Sequence, residues 1–158
     1  MQKFIEYLEE ADKITRAMDH MLYVTYPLVK DKKILLRILM ELKRANAYCI
    51  NSILQYEYIF KRVRLTEDPK INLNAFFNKC AAYYELAPVS IQKIRELFSI
   101  VKEHNSSSME FTRNEKLVII SNGEAKIVEI DKIKDFLVNT KNLIEKAKRK
   151  ILQKDIKS

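Results

Sequence analysis

Apolar side chains recur along the start of the chain at Phe4, Leu8, Ala11, Ile14, Met18, Met21 and Leu22. A step near 3.5 residues predicts an amphipathic helix over residues 2 to about 26. Pro27 is expected to end it, because a residue before proline avoids the helical region. Asp31 is placed to cap the next helix. A second stripe runs from Leu35 through Leu42, Cys49 and Tyr56 to Phe60 and Val63. It predicts a helix over about 32–63, roughly 45 Å long. A rod of that length needs a long neighbour, so the first two helices are expected to fold back on each other as an antiparallel hairpin.

Shorter stripes follow. Leu73, Phe76, Phe77 and Cys80 predict a third helix at about 71–85, and Ile91, Ile94, Leu97 and Val101 a fourth at about 91–104 with Ser90 as its cap. After "HNSSS" the period changes from helical to alternating. "KLVIIS" and "EAKIVE" flank Asn122-Gly123, a dipeptide suited to the two left-handed positions of a type I′ hairpin turn. "MEFTR" is a candidate third strand. Asp131 is expected to cap a final helix over about 131–153, with Ile133, Phe136, Leu143 and Ile151 on one face. The predicted architecture is mainly α. It is a single domain made of a helical bundle (1–104) on a long N-terminal hairpin, a small β-hairpin insert (109–130) and a C-terminal helix packing back (131–153).

Composition narrows the picture. One glycine and three prolines in 158 residues are too few for an all-β chain. No apolar window is long enough to cross a membrane, and the acidic, amphipathic N-terminus is unlike a signal peptide, so a cytoplasmic protein with no membrane partner is expected. Cys49 and Cys80 lack CxxC partners and read as buried thiols. With the only glycine in a hairpin turn, Walker and Rossmann phosphate loops are excluded, and no cofactor or metal site is expected.

The charge of +8 is uneven: residues 30–64 hold nine basic and three acidic side chains, and residues 131–158 nine and four. On the second helix Arg37, Glu41, Arg44, Tyr48, Asn51, Gln55, Tyr58 and Arg62 recur at three- and four-residue steps opposite the apolar stripe. Arginine offers paired donors to phosphate, tyrosine a stacking face, and asparagine an amide for base edges. Lys61, Arg62 and Arg64 make a basic end, and Lys148, Arg149 and Lys150 another. This pattern suits nucleic acid, RNA ahead of DNA. It equally describes a solvated face or a face covered by later helices.

Arg16 and His20 share a helix face and could form an acid–base pair or an exposed charge ladder. His104, at a predicted helix end, suits capping. Exposed apolar residues such as Leu28, Val29 and Ile59 would allow a homodimer through the hairpin.

Taken together, "ADKITRAMDHMLYVTYPLVKDKKILLRIL", "ILQYEYIFKRV" and "NEKLVIISNG" resemble a group of small archaeal proteins of unknown function, which implies no activity. The long hairpin also resembles HEPN-type bundles, some of which are metal-independent ribonucleases using an arginine and a histidine. "RAMDH" departs from their spacing, having only three intervening residues.

Overall fold

In a computed structural model, residues 2–157 are described, with side chains described through Leu152. Helix α1 (Lys3–His20) runs into a π turn (Met21–Thr25) and a short α2 (Tyr26–Val29) without a break, so three segments form one rod. Pro27 does not end it. Proline has no N–H to give the carbonyl four residues back, and its ring crowds that carbonyl. The wider π turn just before it, closed from the Tyr26 N–H to Met21, absorbs the misfit. The rod stops instead at Lys30, in the left-handed conformation.

Asp31 caps α3 (Lys32–Ile59) as expected, accepting from the Lys33 N–H at 2.9 Å. α3 lies along α1 as a long hairpin. Ser52 Oγ donates to the Phe4 carbonyl at 2.6 Å, and the Phe4 and Tyr56 rings meet edge to face at 5.1 Å. The helix is shorter than its apolar period suggests. Lys61 adopts φ 60°, and the Lys61 and Arg62 N–H groups turn back to the carbonyls of Tyr58 (2.9 Å) and Glu57 (2.9 Å). This is a Schellman ending with lysine where glycine is usual. Phe60 thereby leaves the inner stripe and is exposed, while Val63 stays buried outside the helix.

The expected third helix is divided into α4 (Pro69–Ala75), capped by Asp68, a π turn (Phe76–Cys80), and turns that end at Glu85 in a third left-handed closure without glycine. α5 spans Pro88–Asn105. Ser90 is not its cap. Pro88 starts the helix earlier, and Ser90 Oγ is buried, donating to Asn139 Oδ1 at 2.6 Å.

Three antiparallel strands follow in the order β1 (Met109–Arg113), β2 (Lys116–Ser121), β3 (Glu124–Glu129). Asn122 and Gly123 both have positive φ, as the type I′ turn requires. Asn114 and Glu115 do the same at the first turn without glycine. Leu117, Ile119 and Val128 face the helices. α6 (Ile130–Lys157) begins one residue before Asp131, which occupies its first turn, and packs on α1 and α3. Asn46 Nδ2 joins α3 to α6 inside the core, donating to Thr140 Oγ1 at 2.8 Å and to its own helix at Leu42. Among the described residues no helix is long and apolar enough to cross a membrane.

Both thiols are buried and unpaired with each other. Burial, and next the Glu57 carboxylate, push the Cys80 thiol up to about 11; burial drives Cys49 higher still. Tyr84 is also raised, by burial and then by its bond to Glu57. These groups stay protonated when folded. Above about pH 8.5, where free thiols ionise, the unfolded chain releases protons that the folded chain retains, so stability falls as pH rises. The urea midpoint is expected to decline from about pH 8.5 towards pH 11, less steeply in Cys80→Ser. A midpoint unchanged through pH 10.5 would contradict this burial.

Candidate nucleic-acid interface

The outer flank of α3 carries the sequence-predicted residues as one stripe. Arg37, Arg44, Asn51 and Tyr58 are exposed, and Tyr48 is half-buried. Tyr48 lies against Tyr7 of α1 at 5.9 Å between ring centres, and the Arg44 guanidinium stands 5.8 Å from its ring. Arg44 also pairs with Glu41 at 2.6 Å. Contact with Tyr48 first, and the Glu41 carboxylate next, hold its pKa above the ordinary value. The stripe is thus accessible, but one of its two central cations already has a carboxylate partner.

The end of α3 is more organised. Glu57 is only 3% exposed. Its carboxylate accepts from the Tyr84 hydroxyl at 2.8 Å and from Arg62 Nη2 at 3.2 Å, and it also meets Arg62 Nε. The Schellman turn makes this possible: the same reversal that bonds the Arg62 N–H to the Glu57 carbonyl brings the guanidinium over the Glu57 carboxylate. Hydrogen bonding to Glu57 raises the Arg62 pKa above its ordinary value. The guanidinium also sits 5.1 Å from the Phe60 ring and 5.7 Å from that of Tyr83. From α6, Lys150 places its Nζ 4.4 Å from the centre of the same Tyr83 ring. Tyr83 is 41% exposed, and Phe60 and Tyr58, just before Arg62 in the chain, are more so. Cations from two distant segments therefore converge on one accessible aromatic ring.

The other predicted residues separate. Lys61 and Arg64 are exposed beside Arg62 in sequence. Lys148, Arg149 and Lys150 are consecutive on a helix and point in different directions. Lys148 reaches Asp12 at 3.3 Å, Arg149 pairs with Glu145 at 2.7 Å, and Lys150 alone joins Tyr83. Arg16 is 78% exposed and held by Asp12; His20 is exposed one turn on, and Asp19 pairs with Lys141 at 2.7 Å. His104 lies in the last turn of α5, and its Nδ1 is 2.5 Å from the Glu110 carboxylate. Among the described residues no three His, Cys, Asp or Glu side chains are grouped to hold a metal ion.

Tyr83 and Glu57 are the residues that sequence reasoning missed. Glu57 had a signal: it falls on the buried flank of α3, five positions before an arginine. Tyr83 had none, since its partners come from residues 62 and 150. Comparison with protein-family profiles, with curated proteins and with solved structures returns no match.

Proposed function

We propose that the protein is a non-catalytic nucleic-acid-binding protein that uses the end of α3 and the α3 stripe as its contact surface. The observation that carries this reading is the exposed Tyr83 ring, with the Arg62 guanidinium 5.7 Å and Lys150 Nζ 4.4 Å from its centre. An aromatic face bordered by cations offers an unpaired base a stacking partner and its phosphates two donors. Rings of this kind favour single strands over duplex, and RNA presents more unpaired bases than DNA. The test is titration of a labelled oligouridylate and a matched duplex in rising salt. Single-stranded RNA is expected to bind tighter, with log affinity falling by about 0.7 per phosphate contact for each tenfold rise in salt. Absence of any salt-sensitive retention on RNA or DNA at low ionic strength would end the proposal.

Assembly into a homodimer is a second reading, because Leu28 and Val29 are exposed at the α2 end and Ile59 at the end of α3. These sites lie at opposite ends of α3, about 40 Å apart. They constitute two small patches, and a two-fold contact using all three would have to run the length of the hairpin.

A further inference from the structure

The sheet has two edge strands, β1 and β3, and they are finished differently. Two-residue turns make Arg113–Lys116 and Ser121–Glu124 hydrogen-bonded pairs, and the pattern alternates from there. By the observed register, the backbone groups facing away from β2 are those of Glu110 and Thr112 on β1, and of Ala125, Ile127 and Glu129 on β3. On the β1 edge a side chain takes one outward backbone group, the carbonyl of Glu110. Lys32 Nζ donates to the Glu110 carbonyl at 2.8 Å, and the Glu110 carboxylate meets His104. No such cover lies over β3: among the described residues no backbone hydrogen bond from outside the sheet reaches Ala125 or Ile127.

Beside β3 lies an open groove of about 680 Å³. Four consecutive residues, Lys126 to Glu129, line it, so it follows the backbone edge of the strand rather than one face. Its other wall is α5 and the start of α6, and the exposed Ile127 supplies apolar surface. Lys116 pairs with Glu129 at 3.4 Å and Lys132 with Glu96 at 2.5 Å. Asp131 and Asp135, one turn apart on α6, and Lys126 also line the groove and have no ion-pair partner among the described residues, which leaves an excess of one negative charge there.

We propose that β3 is a docking edge for an extended peptide rich in lysine or arginine, which adds to the sheet as a fourth strand. Its backbone pairs with Ala125 and Ile127, and its cationic side chains reach Asp131 and Asp135. A second copy of this chain fits less well. Pairing through the same outward amides about Ile127 sets Lys126 opposite Val128 and Ala125 opposite Glu129, so no opposite charges face each other across the strands. The inference does not depend on the nucleic-acid reading.

The probe is an octapeptide of alternating lysine and valine, titrated into the full-length, isotope-labelled protein and followed by amide chemical shifts. Saturable shifts confined to the region 125–135 are expected. A control peptide N-methylated at alternate amides cannot complete the ladder and should not bind. Asp131→Asn with Asp135→Asn should weaken binding by about fivefold, the scale of two rim charge contacts. Ile127→Pro, which deletes an outward N–H, should abolish it. Should that variant lose its hairpin, the aspartate pair, which lies outside the strand, carries the test. Equal binding of the N-methylated peptide, shifts centred elsewhere, or no saturation at millimolar peptide would overturn the proposal and leave β3 as an edge blunted only by its own charges.

Discussion

Tyr83→Ala should weaken the binding of single-stranded RNA by roughly tenfold, at the lower end of what a base–aromatic stack contributes. Tyr83 is substantially exposed and lies in a turn, so its loss removes little of the core. Tyr83→Phe keeps the ring and should bind nearly as wild type, which separates stacking from hydrogen bonding. Lys150→Ala should weaken binding less and should also reduce the salt slope by about 0.7, one phosphate contact. Arg37→Ala with Arg44→Ala should lower the slope in the same way without the loss specific to unpaired bases. Isothermal titration or anisotropy at two salt concentrations distinguishes these effects. A Tyr83→Ala protein that binds as wild type would show that the ring is packing, not a platform.

Arg62→Ala is expected to lower stability by about 2–3 kcal/mol, less than a fully buried pair because the guanidinium is partly exposed. Three things are lost together. The nearly buried Glu57 carboxylate loses two donors, the Phe60 and Tyr83 rings lose the cation beside them, and the chain reversal after α3 loses its side-chain tie. Arg62→Lys retains charge but not the two-pronged donor, so it should fall between wild type and alanine. Glu57→Gln in the alanine background should recover part of the loss, because it removes the uncompensated charge. Urea unfolding of the four proteins measures this. A change below about 0.5 kcal/mol for Arg62→Ala would mean that Glu57 is satisfied without it.

Arg62 thus has two duties: it stabilises the end of α3 and it presents a positioned cation. Because Glu57 fixes it, the guanidinium is held in place rather than free to follow a ligand. RNA affinity in Arg62→Ala therefore has to be measured well below its unfolding midpoint.

The helical hairpin was legible because apolar residues at a 3.5 step leave one geometry for α1 and α3. The strand pair was legible because Asn122-Gly123 meets a conformational demand few other residues meet. Helix ends were not. Lys30, Lys61 and Glu85 all take the left-handed conformation at which glycine usually announces a stop, so α3 overruns its true end in any reading by period. The two π turns had no sequence mark, although Pro27 shows in retrospect where one was needed. The α3 stripe could be foreseen from one helix wheel. The Tyr83 cluster could not, since it is assembled by tertiary packing from three separate segments. The consecutive cations at 148–150 separate for the opposite reason, as proximity in sequence on a helix spreads side chains around the axis.

Ultraviolet crosslinking of bound oligouridylate, followed by mapping of the modified peptide, tests the interface most directly. Adducts are expected at Tyr83, with Phe60 or Tyr58 as secondary sites, and are lost in Tyr83→Ala. Adducts confined to α1 or the sheet, or undiminished in that variant, would contradict this interface.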